Sequence, residues 1–257
     1  MSKVNLAISG CMGRMGQQLV KSSRVNKNFK LTTLTENRLI KKKISRIKPS
    51  LNNENSFKNV DLIIDFTVPK CTFEILKIAS KLKKRVVIGT TGFTKKEENL
   101  IKKFSKKIPI LKAGNMSLGI NLLMYLTEIA SKSLGSDFLS KVYEVHHKHK
   151  IDYPSGTALM LGDSIANGRN QKLDKLKVIS KVGNRKKTKK GKITFNSFRK
   201  GNVIGDHKII FSSKDEVIEL SHEALDRGIF ATGAIQAALW GINKKAGLFS
   251  MIDVLGK

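Results

Sequence analysis

The first half of the chain predicts an α/β domain with a doubly wound parallel sheet, and the second half predicts an α+β domain on a mixed sheet. Strands and helices alternate up to about residue 117, as they do in βαβ units. Residues 60–66 are nearly all apolar, which is typical of a parallel strand covered by helices on both faces. Beyond residue 175, predicted strands follow one another without helices between them, which indicates a separate sheet.

The elements of the first half follow from the spacing of apolar residues. Val4, Leu6 and Ile8 begin the first strand, and the next helix ends near Arg24. A helix over 69–84 places Pro69 in its first turn, where a missing N–H group costs nothing. The other predicted strands are 29–35, 60–66, 85–88 and 108–111, and the other predicted helix is 95–106.

The second half begins with an apolar helix, at 118–130, and ends with another, at 230–242. Between them we predict a short helix at 156–166 and strands at 141–147, 175–180, 192–198, 207–212 and 216–221. Residues 181–192 contain seven basic residues with Gly and Asn among them, which predicts a solvated loop between two strands.

The composition excludes several classes of protein. With 257 residues, of which 40% are hydrophobic, the chain has enough apolar side chains for a packed core, so global disorder is excluded. No apolar run approaches the roughly 18 residues of a membrane span, and the N-terminus has no signal-peptide pattern. Two cysteines cannot form a disulfide framework, which favours a reducing compartment, so we expect a cytoplasmic protein. Because there is no apolar run of membrane length, we also expect no membrane contact.

The charge of the chain suggests a different function. The formal net charge is +29, which is typical of proteins that bind nucleic acid or anionic membranes. However, 40 of the basic residues are Lys and only 9 are Arg. A protein that recognises phosphate groups would be expected to use Arg more often. The basic segment 181–192 also lacks aromatic residues for base stacking. We interpret the charge as a bias in residue usage and keep a nucleic-acid-binding module as the alternative function.

A glycine motif, Gly10-x-x-Gly13-x-x-Gly16, lies between the first strand and the helix that follows it. Glycines there permit a tight turn and let a pyrophosphate approach the backbone at the helix N-terminus. Glu36 ends the second strand, twenty residues after Gly16, where a carboxylate can accept hydrogen bonds from an adenosine ribose. A purely structural turn is the alternative, but this context favours a nicotinamide dinucleotide site.

Two further small, polar turns follow the fourth and fifth strands. Gly89-Thr90-Thr91-Gly92 comes first, and Ala113-Gly114-Asn115-Met116-Ser117 comes second. Each could be a plain connection between a strand and a helix. Because ligands of open α/β sheets bind at the carboxyl ends of the strands, we expect both turns to line the cofactor groove.

Three of the five histidines, His146, His147 and His149, fall within residues 144–157. His147 and His149 would share one face of an extended chain, which permits a metal site, but neighbouring lysines and the lack of a nearby Cys argue against metal. A polar reaction site fits better, because His titrates near neutrality and a partly desolvated Lys150 can donate a proton. We expect His207 and His222 to be hydrogen-bonded structural residues.

Ser155 has the properties of a helix N-cap, with Gly156 and Thr157 as the first helical residues. Backbone N–H groups at a helix start, aided by the helix dipole, can bind a carboxylate or a phosphate. A routine cap is the alternative interpretation. Together with Lys150, the segment predicts a small acidic substrate. A different dinucleotide-dependent dehydrogenase that acts on a small acid, such as a semialdehyde or homoserine enzyme, is therefore a further functional hypothesis.

Taken together, these motifs resemble the dihydrodipicolinate reductase family, also called 4-hydroxy-tetrahydrodipicolinate reductase. The block at 144–157 is highly specific for that family, and the resemblance covers nearly the whole chain. Further segments that carry it are Asp65-Phe66-Thr67, Asn115-x-Ser117-x-Gly119 and Arg199-x-Gly201-x-x-x-Gly205-x-His207. The resemblance implies a Rossmann-type domain at 1–116, completed by 225–257, with an inserted substrate-binding and tetramerisation domain at 117–224.

The family also implies a reaction and a set of site residues. It implies that NADH or NADPH reduces (2S,4S)-4-hydroxy-2,3,4,5-tetrahydrodipicolinate to tetrahydrodipicolinate and water in lysine and diaminopimelate synthesis, within a homotetramer. His146 resembles the catalytic acid/base and Lys150 the proton donor, while His147, Gly156 and Thr157 resemble the substrate contacts. The positions that match cofactor contacts are Gly10, Cys11, Met12, Gly13, Arg14, Met15, Glu36, Gly89, Thr90, Thr91, Ala113, Gly114, Asn115 and Met116.

The chain departs from the family pattern at several positions. Cys11 and Met12 replace small residues in the glycine turn, and Tyr153 replaces an Ala. Asn37 stands where some members have an Arg that suits NADPH, although Arg38 follows it. The segment 37–57 is short, so we expect the cofactor domain to lack an element there.

Overall fold

The computed structural model describes residues 3–257, and the chain divides into two compact units. The first unit is the chain up to Leu118 together with Gly228–Lys257, and the second unit is Gly119–Arg227. The second unit is therefore an insertion in the sequence of the first.

In chain order the strands are β1 (Val4–Ser9), β2 (Phe29–Glu36), β3 (Ser50–Leu51), β4 (Leu62–Asp65), β5 (Arg85–Ile88), β6 (Pro109–Lys112), β7 (Leu139–His146), β8 (Lys177–Ile179), β9 (Ile193–Arg199), β10 (Asp206–Ser212), β11 (Val217–Glu223) and β12 (Gly247–Phe249). The helices are α1 (Arg14–Val25), α2 (Glu54–Phe57), α3 (Pro69–Leu82), α4 (Lys95–Ser105), α5 (Leu118–Leu134), α6 (Gly156–Gly168), α7 (Leu173–Leu176), α8 (Gly228–Gly241) and α9 (Met251–Val254). Within the described residues, no helix combines the length and apolar character that a membrane crossing requires.

The first unit is built on a seven-stranded sheet in the order β12-β6-β5-β4-β1-β2-β3, and every pairing in it is parallel. Leu6 and Ile8 of β1 and Ile64 of β4 are fully buried, as expected for strands covered on both faces. The strand order reverses beside β1, and ligands of open α/β sheets bind at such a point. The predicted doubly wound parallel sheet is confirmed.

The second unit is built on a five-stranded sheet in the order β11-β10-β7-β9-β8. Strand β10 is antiparallel to β7 and β11, whereas β9 is parallel to β7 and β8. Buried residues of the sheet, including Val142, Phe195 and Ile209, pack in one cluster with Ile120 of α5 and Leu161 of α6. The predicted mixed sheet is confirmed.

Short elements account for the differences from the sequence prediction. β3 and α2 lie in the segment 37–57, where we expected an element to be missing, and β12 and α9 follow the last predicted helix. The predicted strand at 175–180 is wrong at its start, because α7 ends at Leu176 and β8 covers only Lys177–Ile179. Leu173 and Leu176 are both buried one helical turn apart, which a two-residue alternation does not reveal.

Helix α8 closes the core of the first unit through small residues. Ala231, Ala234, Ala237 and Ala238 are completely buried. A Cβ atom on Gly233 would lie 1.8 Å from the carbonyl oxygen of Met116, so only glycine allows this approach. Gly233 therefore fixes the distance between α8 and the loop after β6.

We expect Gly233→Ala to destabilise the first unit, because the added methyl group forces α8 away from the Met116 loop. Overpacking of this kind costs about 1–3 kcal/mol. Gly241→Ala, at the end of the same helix, is the matched control, since a Cβ atom there meets nothing within 4 Å. Urea unfolding of both variants measures the difference, and equal stabilities would contradict the packing argument.

Candidate active site

The glycine turn follows β1 and leads into α1. Gly10 has a φ of +78°, and a Cβ atom on it would lie 2.6 Å from the carbonyl oxygen of Phe66. A Cβ atom on Gly16 would lie 2.0 Å from the carbonyl oxygen of Gly10, so α1 packs directly on the turn. Gly13 is the N-cap of α1 and carries no side chain that would occupy the helix N-terminus. This backbone geometry suits a bound diphosphate.

Glu36 lies beside the same turn, at the last position of β2. Its Oε1 accepts a hydrogen bond of 2.6 Å from the backbone N–H of Met12. Cys11 is fully buried, and burial, together with the charge of Glu36, raises the pKa of its thiol to about 11. Cys11 is therefore a protonated packing residue rather than a nucleophile.

A cleft of about 240 Å³ lies at the carboxyl ends of β1, β2 and β4. It combines the open backbone of the glycine turn with the carboxylate of Glu36. Its lining residues are Gly10, Gly13, Glu36, Asn37, Asn52, Phe66, Thr67, Val68 and Cys71. Of the other expected turn contacts, Met12 and Arg14 are exposed and Met15 is half-buried. The glycine cradle and the carboxylate fit the diphosphate and the ribose of a dinucleotide.

Asp65 links the turns after β4 and β5, and sequence reasoning did not find its role. This fully buried carboxylate accepts hydrogen bonds from the hydroxyl groups of Thr67 at 2.6 Å, Thr72 at 2.5 Å and Thr90 at 3.2 Å. Burial raises the pKa of Asp65, although the three hydroxyl groups oppose that effect. The sequence signal that could have indicated this role is an aspartate at the end of an apolar strand with threonines after it, since a buried carboxylate needs hydrogen-bond donors.

The two other expected cofactor turns lie at the ends of β5 and β6. A Cβ atom on Gly89 would lie 2.2 Å from the ring of Phe66, and Thr90 is buried, whereas Thr91 is exposed. In the second turn, Ala113 and Asn115 are half-buried, Gly114 is exposed and Met116 is buried. Both turns lie at the same edge of the sheet as the glycine turn, because all these strands are parallel.

In the second unit, three neighbouring strands align polar side chains in one row. Glu144 of β7 pairs directly with His207 of β10 on one side and with Ser197 of β9 on the other. His146 follows two residues after Glu144, and its ring packs edge-on against His207, with ring centroids 5.0 Å apart. Sequence reasoning did not connect His207 with His146, because only the strand register joins them.

Glu144 is at the centre of this row, with 1% of its surface exposed. Its Oε1 accepts hydrogen bonds from the backbone N–H of Ser155 at 2.9 Å and from the hydroxyl of Ser197 at 2.7 Å. Its Oε2 lies 3.3 Å from Nδ1 of His146 and 3.8 Å from Nε2 of His207. Burial alone would raise the pKa of Glu144, but the contacts with His146, Ser155 and Ser197 outweigh burial and lower it to about 2.

The chain turns after β7, and Lys150 lies in this turn. The backbone N–H of Lys150 donates to the carbonyl of His147, and its Nζ is 2.9 Å from both carboxylate oxygens of Asp152. Arg199, which pairs with His146 in the sheet, donates to the carbonyl oxygens of Lys150 and Asp152 at 3.0 and 2.7 Å. The guanidinium therefore fixes the backbone around the Lys150 side chain.

The expectation that His147 and His149 share a face of an extended chain is wrong. Residues after His146 leave the strand and form a turn, in which the two rings are 6.4 Å apart. His149 is exposed. Desolvation, with the nearby charge of Arg227, lowers the pKa of His147, so this ring is largely neutral at pH 7.

Helix α6 begins at the predicted position. Ser155 is its N-cap, with the side-chain oxygen 3.1 Å from the backbone N–H of Ala158, and Gly156 and Thr157 are the first helical residues. Gly156 is exposed and a Cβ atom on it would meet nothing within 4 Å, so an anion can approach the helix start. The hydrogen bond from Ser155 to Glu144 anchors this helix start to β7.

Glu144, His146 and His207 are also close enough together to hold a metal ion, since their ligating atoms lie within 4.8 Å of one another. His207 Nε2 is 3.3 Å from the hydroxyl of Ser155, and Glu144 is bound by two donors. Burial and the neighbouring His146 lower the pKa of His207 to about 3, so it is neutral. We interpret the group as a hydrogen-bonded network.

Comparisons with known proteins find one family along the chain. The N-terminal domain of dihydrodipicolinate reductase matches residues 4–116, and the C-terminal domain matches residues 119–255. The chain is 68% identical over 256 residues to the 4-hydroxy-tetrahydrodipicolinate reductase of Pelagibacter ubique, covering 99% of both chains. It is 44% identical to the enzyme of the same name from Buchnera aphidicola, covering 97% of this chain and 96% of that one.

A solved structure gives the same result. The dipicolinate-bound dihydrodipicolinate reductase from Paenisporosarcina superimposes with a TM-score of 0.79 at 25% identity, covering 97% of this chain and 98% of that one. A diaminopimelate dehydrogenase from C. glutamicum, at a TM-score of 0.57 and 10% identity, shares the fold and covers 98% of this chain and 94% of its own. These similarities favour an oxidoreductase over the nucleic-acid-binding alternative.

The shifted pKa of Glu144 predicts how stability depends on pH. Because the folded-state pKa is about 2 and the ordinary value is 4.5, the charge contributes about 3 kcal/mol at neutral pH. That contribution is complete above pH 4.5 and is lost as the pH falls toward 2. In urea unfolding, Glu144→Gln should therefore lose less stability than the wild type over this range, and parallel pH profiles would contradict the assignment.

Proposed function

The chain belongs to the dihydrodipicolinate reductase family, and on this premise we propose that it reduces (2S,4S)-4-hydroxy-2,3,4,5-tetrahydrodipicolinate with NADH or NADPH. The products are tetrahydrodipicolinate and water, and the reaction serves lysine and diaminopimelate synthesis. The observation that carries this proposal is the grouping of an imidazole, an ammonium group and a helix N-terminus around the end of β7. His146, Lys150 and Gly156 provide these three groups, and Arg199 and Glu144 hold the segments that carry them.

We propose that the first unit is the dinucleotide-binding domain. The glycine turn would hold the diphosphate, Glu36 would accept hydrogen bonds from the adenosine ribose, and the turns after β5 and β6 would line the nicotinamide end. The proposed contacts are Gly10, Cys11, Met12, Gly13, Arg14, Met15, Glu36, Gly89, Thr90, Thr91, Ala113, Gly114, Asn115 and Met116. The bound nicotinamide supplies the hydride.

The second unit would bind the substrate as a dicarboxylate. The start of α6, at Gly156 and Thr157, favours a carboxylate because of the helix dipole, and His147 lies close by in sequence and in the same unit. Paenisporosarcina reductase binds dipicolinate, which is a dicarboxylate of the same ring size. Lys150 adds the positive charge, and a substrate carboxylate would compete for its ammonium group with Asp152.

His146 and Lys150 would manage the protons. Addition of hydride to the ring and loss of water consume one proton overall, and general acids supply it where negative charge develops. Lys150 would donate this proton to the substrate, and His146 would act as the acid/base that returns a proton to Lys150. The side chain of Lys150 is 21% exposed, so a ligand can reach its ammonium group.

A homotetramer in the cytoplasm is part of the proposal. Helices α5 and α6 cover one face of the second sheet, while on the other face Tyr143 and Ile210 are half-buried and Val217 is 60% exposed. Partner subunits would cover these apolar side chains. Both cysteines are free and buried, as suits a reducing compartment. Sedimentation equilibrium, referred to the chain mass of 28.6 kDa, tests the tetramer.

We expect His146→Ala and Lys150→Ala each to lower kcat by a factor of about 100 or more, because each removes a general acid–base group. The double variant should be inactive while it still binds NADH, since both residues lie outside the cofactor unit. Turnover is followed at the nicotinamide absorbance band with the product of the preceding synthase as substrate. Full activity of the double variant would refute these roles.

Cofactor preference depends on the end of β2. Arg38 is exposed two residues after Glu36 and can meet the 2′-phosphate of NADPH, which NADH lacks. Arg38→Ala should therefore weaken NADPH binding and leave NADH binding unchanged. Arg24→Ala, an exposed arginine at the end of α1, is the control. Paired fluorescence titrations measure both affinities, and an equal loss for both cofactors would contradict the assignment.

A further inference from the structure

We propose that Glu144 is the positioning residue that sets the tautomer and orientation of His146. The inference rests on the proposed function, because it takes His146 as the acid/base of the reduction. Glu144 touches neither reacting molecule in this proposal, and it acts only through the imidazole and through the start of α6.

The two oxygens of Glu144 have separate tasks. Oε1 accepts two hydrogen bonds, one from the backbone N–H of Ser155 and one from the hydroxyl of Ser197. These donors come from the start of α6 and from β9, so Oε1 is fixed by two elements besides its own strand. The carboxylate cannot rotate about its Cγ–Cδ bond without breaking both bonds, and its second oxygen is thereby held in place.

Oε2 is held against the catalytic imidazole. It lies 3.3 Å from Nδ1 of His146, and both atoms are buried. Among the described residues, neither atom has another hydrogen-bond partner at good geometry. A buried carboxylate oxygen and a buried ring nitrogen without partners are costly, so each satisfies the other when Nδ1 carries the proton. Contacts of this length commonly shorten when substrate binds.

The opposite side of the ring is consistent with this assignment. A Cβ atom on Gly205 would lie 3.2 Å from Nε2 of His146, so glycine at this position leaves space beside that nitrogen. With the proton on Nδ1, Nε2 carries the lone pair and is the atom that can accept or return a proton. His207, beside both residues, is neutral at physiological pH because burial lowers its pKa to about 3. His207 therefore carries no positive charge that would compete with His146 for the carboxylate of Glu144.

Glutamine at this position makes a sharp test. Because the Oε1 site faces two donors, the amide oxygen of Glu144→Gln must occupy it, which leaves the amide NH₂ in the Oε2 site. The NH₂ group donates and would require a lone pair on Nδ1 of His146. The variant should therefore move the ring proton from Nδ1 to Nε2, while the start of α6 keeps its hydrogen bond.

The experiment measures the tautomer and the kinetics together. In ¹⁵N-labelled wild-type protein, long-range ¹H–¹⁵N spectra at pH 8 should show His146 protonated on Nδ1, with the signal assigned by its loss in His146→Ala. In Glu144→Gln the proton should move to Nε2, and kcat should fall by about 100-fold with KM and NADH affinity little changed. Asp163→Asn, an exposed carboxylate-to-amide change on α6, is the matched control and should alter neither the tautomer nor kcat.

Three results would overturn the proposal. The first is a wild-type His146 protonated on Nε2, a result that does not depend on whether Glu144→Gln folds. The second is a folded Glu144→Gln protein with wild-type kcat. The third is loss of wild-type activity on dialysis against a chelator with recovery on adding Zn²⁺, since Glu144, His146 and His207 would then be metal ligands. If the wild type does not reduce the stated substrate at all, the proposed function fails, but the tautomer measurement still decides the role of Glu144.

Discussion

The need to satisfy one buried carboxylate governs the arrangement of the second unit. Glu144 has almost no contact with solvent, so each lone pair must find a donor in the protein. Those donors come from β9, from the start of α6 and from the imidazole two residues further along β7. Satisfying the charge therefore aligns the strand that carries His146 with the helix start proposed to hold a substrate carboxylate.

Most of the fold could be predicted from the sequence, because its main elements have local signatures. The apolar runs of β1 and β4 and the proline at the start of α3 act through near neighbours in the chain. β3 and β12 have two and three residues, too few to show any periodicity, and they exist because a neighbouring strand offers hydrogen bonds. Such elements depend on tertiary structure, which a single sequence does not display.

The same distinction applies to the site. The glycine turn and the segment 144–157 could be located because their residues are consecutive or regularly spaced. The contact of Glu144 with Ser197 joins residues 53 positions apart, and the contact of Ser155 with His207 spans 52. Strand register creates the first pair, and the packing of the start of α6 against β10 creates the second. The shared face expected for His147 and His149 failed for a related reason, since a turn replaces the strand immediately after His146.

The state of Cys11 has a consequence for oxidative damage. A cysteine in a phosphate-binding turn would ordinarily be exposed to attack, because a helix N-terminus stabilises the thiolate. Here burial and the carboxylate of Glu36 dominate, and a pKa of about 11 leaves roughly one thiolate in ten thousand molecules at pH 7. Peroxides react with thiolates rather than thiols. The thiol of Cys11 is therefore a poor target for peroxides, so this cysteine can pack in the turn without acting as a redox sensor.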